Sequence, residues 1–119
     1  MTKQFVRTCL VCCLSLASSW QVTLAASVQT ASAAFGYALQ AMGSCDDFIV
    51  HGQTEQKLSK KYGIPIRGDD LREAYMNGLF RFSDEESEIG KERACKNAWR
   101  RVGPSGTEYP GLLMANPFK

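Results

Sequence analysis

The sequence predicts an all-α protein: a small bundle of three to four helices tied by one disulfide, with an irregular C-terminal tail. Three observations carry this. Apolar residues recur at three- and four-residue steps in three separate stretches, which places them on single helix faces. Two cysteines, Cys45 and Cys95, stand far apart in the chain that follows an export-type leader. Glycine and proline crowd the end, at Gly103, Pro104, Gly106, Pro110, Gly111 and Pro117, where regular structure does not continue easily. At 119 residues, 45 % hydrophobic and 22 % charged, the chain suits one small globular domain; it has no collagen period and no low-complexity tract, which argues against fibrous and disordered classes.

The first 25 residues read as a cleaved secretory leader. Met1 to Arg7 carries Lys3 and Arg7 and no acid, and an apolar stretch follows from Cys9 to about Ala17. A positive start, a short apolar middle and then small residues are the features an export peptidase reads. Thr23-Leu24-Ala25 offers small side chains for cleavage near Ala25 or Ala26, and Ala31-Ser32-Ala33 offers a second, more distant site at Ala33. Ser15, Ser18, Ser19 and Gln21 interrupt the stretch before it reaches the ~20 apolar residues a bilayer needs, so no membrane span is expected after cleavage. The expected address is the periplasm or the medium of a bacterium.

Removing the leader changes both charge and cysteine count. Lys3 and Arg7 are its only charged residues, so the remaining chain carries twelve basic and twelve acidic side chains. A balanced domain has no general attraction to nucleic acid or to an acidic membrane. Cys9, Cys12 and Cys13 leave with the leader. The surviving pair, Cys45 and Cys95, reads as a disulfide in an oxidising compartment. It closes a loop of about 50 residues, which the chain-entropy argument values at roughly 4 kcal/mol. Two cysteines and a lone His51 are too few for a closed zinc site, and no Cys-x-x-Cys suggests redox exchange.

The domain at 26–104 divides as follows. Residues 27–43 predict a helix with Val28, Ala31, Phe35, Ala38, Leu39 and Met42 on one face; Tyr37 and Gln40 fall off it, and Gly43 stops it. Phe48-Ile49-Val50 reads equally as a short extended run or as part of a helix opened by Ser44 and Asp47. A short helix is expected from Thr54 to Tyr62, ended by Gly63-Ile64-Pro65, because proline disfavours helix in the residue before it. Residues 69–82 predict the next helix, with Asp70 and Glu73 as a cap pair and Leu71, Tyr75, Leu79 and Phe82 turned inward. Gly78 within it weakens the helix by about 1 kcal/mol relative to alanine, which close approach of a neighbouring backbone explains. Residues 84–102 predict the last helix. Ser83 and Glu86 form a capping box, acids fill its first turn and bases its last, and Ile89, Cys95, Ala98, Trp99 and Val102 mark its buried face. The tail, 105–119, is expected to lie across the helices through Leu112, Leu113, Met114 and Phe118.

The sequence offers little for catalysis. There is one histidine, His51, and no Gly-x-Ser-x-Gly, His-Glu-x-x-His, phosphate loop or dinucleotide fingerprint. Asp46 and Asp47 are explained by a helix start rather than by acid–base work. No cofactor or metal is expected, and the chain is read as no enzyme. Two basic clusters remain: Lys57, Lys60 and Lys61, then Arg93, Lys96, Arg100 and Arg101, with Tyr62 and Trp99 close to them in sequence. Lys57, Lys60, Lys61, Arg93, Arg100 and Arg101 form the candidate partner-binding surface, weighed against a plainly solvated helix face.

Cys45-Asp46-Asp47-Phe48, with a second cysteine in Ala94-Cys95, resembles the small periplasmic acid-stress chaperones of the HdeA type. The resemblance covers four adjacent residues and a cysteine spacing. It implies an exported helical fold held by one disulfide, with Cys45, Cys95 and Phe48 as scaffold. The chain departs from that pattern after Val102, where those chaperones stay charged and helical.

The reading is therefore a small exported bacterial protein that binds another protein without catalysis: an inhibitor, an immunity-type binder or an accessory subunit of an envelope machine. A chaperone released by acid is the alternative that the resemblance implies. A hydrolase with an unrecognised site ranks last.

Overall fold

A computed structural model describes residues 28–119. The expected leader at 1–25, cleavage at Ala25 or Ala26, and Cys9, Cys12 and Cys13 lie outside the described residues. Residues 28–44 are helical (α1). There follow strand β1 (Phe48–Ile49), helix α2 (Thr54–Tyr62), a 3-10 turn (Asp69–Leu71), α3 (Arg72–Ile89), α4 (Lys91–Val102) and strand β2 (Met114–Ala115). The architecture is helical with one small antiparallel ribbon, in which Phe48 pairs with Ala115 and Ile49 with Met114. The short apolar run left open by the sequence is thus extended, and Ser44 belongs to the last turn of α1 rather than to a cap.

Helix α1 runs through the core. Periodicity assigns it one buried face, yet Ala31, Ala34, Phe35, Ala38, Ala41 and also Ser32 and Tyr37 are buried. Tyr37, off the predicted face, is 1 % exposed and meets Phe82 edge-on with ring centroids 5.5 Å apart. The cause is visible in composition: no charged residue occurs between Arg7 and Asp46, and a helix without a charged face can be surrounded. Its small side chains let α3 come close. A Cβ at Gly78 would overlap the carbonyl oxygen of Ala33, and one at Gly36 would overlap that of Tyr75. Ser32, fully buried, donates from Oγ to the Ile66 carbonyl at 2.7 Å and so fixes the 63–68 connection to α1. That connection leaves α2 through Gly63, whose φ of 70° only glycine adopts without strain.

The break between the last two helices lies at Gly90, not at Ser83. Ser83 is inside α3, and its carbonyl accepts from Ser87 Oγ at 3.0 Å. A capping box needs its first residue outside the helix, whereas α3 runs unbroken through Ser83, directly after buried Phe82. Gly90, at φ 90°, supplies the backbone conformation in which α3 ends and α4 folds back. Asp70 and Glu73 are likewise no cap pair: Asp70 sits in the 3-10 turn, and α3 opens without a side-chain cap bond.

Helix α4 buries Ala94, Ala98 and Val102. Ile89 and Trp99, expected inside, are each 37 % exposed. Cys45, just beyond α1, bonds Cys95 of α4 with the Cα atoms 5.9 Å apart. The tail is irregular but packed. Its backbone N–H groups at Thr107, Glu108, Tyr109, Leu112 and Leu113 donate to the carbonyls of Arg100, Arg101 and Val102. They satisfy the acceptors that a helix end leaves open. Leu112 and Leu113 enter the core, while Met114 and Phe118 are 42 % and 92 % exposed, contrary to expectation.

Candidate protein-binding surface

The basic residues singled out by sequence fall into three settings. Lys57, Lys60 and Lys61 are exposed on α2. Lys61 Nζ lies 5.4 Å from the Tyr62 ring centroid and 5.8 Å from that of Tyr109. The Tyr62 and Tyr109 hydroxyls share a hydrogen bond of 3.1 Å, and the Tyr109 N–H donates to the Arg101 carbonyl at 3.1 Å. The tail therefore brings the C-terminal ends of α2 and α4 together. Burial first, and then the Tyr62 hydroxyl, push the Tyr109 phenol well above its ordinary pKa.

Arg93, Lys96 and Arg100 are exposed on the outer face of α4. Arg100 Nη2 donates to Asn97 Oδ1 at 3.0 Å, and Lys96 Nζ stands 3.4 Å from Glu92. Trp99 is one turn from Lys96 and also exposed. Its ring stacks on Phe48 of β1 with centroids 5.0 Å apart and planes 17° from parallel. Phe48 is three residues from Cys45, so the disulfide anchors both partners of the stack. The sequence reading missed Trp99 as a surface residue. The available signal was its position: with Ala94, Ala98 and Val102 four apart and inward, Trp99 is turned about 100° from Ala98.

Arg101 is not on this surface. Its Nη1 donates to Glu85 Oε2 and, at 3.2 Å, to the Tyr37 hydroxyl; its Nε lies 3.5 Å from Glu108. Glu108 in turn takes both Nη groups of Arg81 at 2.8 Å. The set joins α1, α3, α4 and the tail. Burial opposes charge on Arg101, but the hydrogen bonds to Glu85 and Tyr37 outweigh it and raise its pKa. Burial also pushes the Tyr37 phenol up, against the pull of the Arg101 hydrogen bond, with the nearby Glu85 charge adding to the rise. The Arg81 hydrogen bonds hold the Glu108 carboxyl below the usual carboxylate range. The sequence did contain this signal: Arg101 is seven residues from Ala94 and so shares its side of the helix, while Arg100 does not.

Near the disulfide, Asp46 and Asp47 occupy the turn between α1 and β1 rather than a helix start. Lys119 Nζ approaches them at 3.7 and 4.0 Å. They line, with Phe48, Lys91, Lys96 and Cys95, a groove of about 480 Å³ of mixed charge. His51 is exposed, and its Nδ1 accepts from the Gln53 N–H at 3.2 Å. Among the described residues no group of three or more His, Cys, Asp or Glu side chains is placed to hold a metal ion. Nor is any described helix long and apolar enough to cross a membrane.

No family model, curated protein or solved structure matches this chain.

Proposed function

We propose that the protein is a small exported bacterial protein that binds another protein through the outer face of α4 and performs no catalysis, as an inhibitor, immunity-type binder or envelope accessory subunit. The observation that carries this is Trp99: a large ring left open to solvent, backed by Phe48, anchored by the disulfide and flanked by Lys96 and Arg100. A rigid aromatic beside arginine is the composition that dominates binding energy at protein interfaces, because little side-chain freedom is lost on contact. Export rests on the leader-like start and on the disulfide. Ala31 and Ser32 are fully buried in α1, which favours cleavage ahead of residue 28 over cleavage at Ala33.

Affinity capture from the envelope of the source bacterium tests this reading. A specific partner is expected with the wild-type protein, with recovery falling at least tenfold for Trp99→Ala. Equal recovery with folded Trp99→Ala contradicts the assignment of the surface.

A further inference from the structure

Both cysteines of the disulfide line the groove of about 480 Å³, but they are not equally open: Cys45 is 3 % exposed, whereas Cys95 is only partly buried. Their electrostatic settings differ as well. Cys45 follows the C-terminal end of α1 and precedes Asp46 and Asp47, so the helix carbonyls and two carboxylates disfavour a thiolate there. Cys95 stands in the second turn of α4, with Lys91 one turn before it and Lys96 beside it. Of the groove's three lysines, Lys96 is paired with Glu92 and Lys119 with Asp46 and Asp47. Lys91 forms no ion pair or hydrogen bond among the described residues. A cation near a sulfur favours its thiolate. Lys91, Cys95 and Trp99 follow one another at four-residue steps and share one side of α4.

We propose that Cys95 is a site of thiol–disulfide exchange: a dithiol reductant enters the groove, opens the Cys45–Cys95 bond through Cys95, and thereby loosens the Phe48–Trp99 stack. The chain is the substrate of this exchange. One thiolate of the reductant attacks Sγ of Cys95. A sulfur–sulfur bond forms between them, the Cys45–Cys95 bond breaks, and its electron pair leaves on Cys45 Sγ, which takes a proton from water. The second thiolate of the reductant then attacks its own bonded sulfur and releases Cys95 as a thiolate near Lys91. The reductant ends as a disulfide and the chain as the reduced pair, a two-electron exchange. The acids beside Cys45 make it the slower leaving group; its burial decides the order, because the attacking thiolate must first reach a sulfur.

Phe48 is three residues from Cys45, and Trp99 is one turn from Cys95, so the bond ties the two stacked rings together through short segments. With the bond open, β1 keeps its pairing with β2 and the Asn116 bonds to Asp46 and Asp47, but its covalent tie to α4 is gone. The consequence for partner binding rests on the reading of α4 as a protein-binding face; exchange at Cys95 does not.

Brief treatment of the exported, disulfide-bonded protein with 2-mercaptoethanol, quenched with N-ethylmaleimide and followed by peptide mass mapping, tests the proposal on the native fold. The early mixed disulfide should sit on Cys95, with Cys45 alkylated, in at least tenfold excess over the reverse. Lys91→Glu should slow the reaction at least threefold at low salt with unchanged circular dichroism. Complete reduction with dithiothreitol should shift the Trp99 emission to the red. Rates with dithiothreitol and with reduced thioredoxin at equal dithiol concentration then tell a small reductant from a protein one, and either satisfies the proposal. An adduct shared equally or found mainly on Cys45, a bond that opens only after denaturation, a Lys91→Glu rate equal to wild type, or an unmoved Trp99 emission overturns it. If exchange enters at Cys95 but folded Trp99→Ala captures partners as well as wild type, the exchange site stands and the binding-face reading fails; if capture depends on Trp99 but Cys45 is the sulfur attacked, the reverse holds.

Discussion

Gly78 of α3 and Ala33 of α1 meet backbone to backbone, with no room for a Cβ between Gly78 and the Ala33 carbonyl oxygen. Gly36 meets the Tyr75 carbonyl in the same way one turn along. Two helices so close leave space around α1 for α4, the 63–68 connection and the tail. The α3–α4 hairpin, which carries the proposed binding face, is held to the core along this seam.

Gly78→Ala should therefore destabilise the protein although alanine is the better helix former by about 1 kcal/mol. The inserted methyl forces the backbones apart, and overpacking of this kind costs about 1–3 kcal/mol. Urea denaturation should show a net loss of up to about 2 kcal/mol after the propensity gain. A stabilised variant contradicts the close crossing.

The Cys45–Cys95 bond closes 50 residues. Cys45→Ala/Cys95→Ala should lose about 4 kcal/mol by the loop-entropy estimate. The Trp99 emission should also shift to the red, because the bond anchors the strand that carries Phe48. Thermal denaturation and fluorescence of the double variant check both effects.

Arg100 and Arg101 are neighbours in sequence and opposites in structure. Arg101→Ala takes the cation from Glu85, whose side chain is only 13 % exposed and keeps the Tyr37 hydroxyl at 3.4 Å, and should cost about 2–3 kcal/mol. Arg100→Ala removes an exposed group and should stay within about 0.5 kcal/mol of wild type. Paired denaturation curves measure the difference; equal losses would remove the inward role of Arg101.

Glu108 gives a pH signature. Its carboxyl titrates below the ordinary carboxylate value, chiefly through the Arg81 hydrogen bonds. A depressed folded pKa adds stability above the unfolded value, and that stability is lost as pH falls through the folded one. Wild type should therefore exceed Glu108→Gln at neutral pH. The gap should begin to close near pH of about 4.3 and continue closing below it. Because the Glu108 side chain is 35 % exposed, the gap should not exceed about 1 kcal/mol. Chemical denaturation across that range checks the sign.

The helical class and the disulfide were legible in the sequence because each leaves a local mark: three- and four-residue apolar steps, and an even pair of cysteines after a leader-like start. Gly78 also announced itself, since a glycine inside a helix calls for a packing reason. The boundary at Gly90 was obscured by Ser83 and Glu86, whose capping pattern is outweighed by continuous inward packing through Phe82. Burial of Ser32 and Tyr37 beyond the one predicted face of α1 is a tertiary fact that periodicity does not express, although the missing charges hinted at it. At the surface, Lys57, Lys60, Lys61, Arg93 and Arg100 are exposed as expected of helical cations. Arg101 and Trp99 exchanged roles: the cation turned in toward Glu85, and the aromatic turned out toward solvent over Phe48. Both depend on groups far away in the chain.

Site-specific photocrosslinking in the envelope of a bacterium that expresses the protein tests the proposed protein-binding face most directly. A photoreactive residue at position 96, one turn from Trp99, should give a discrete protein adduct that disappears with Trp99→Ala. The same group at position 72, at the start of α3, should give none. Adducts of equal yield at both positions, or none at position 96 while the protein is folded and exported, would contradict the account.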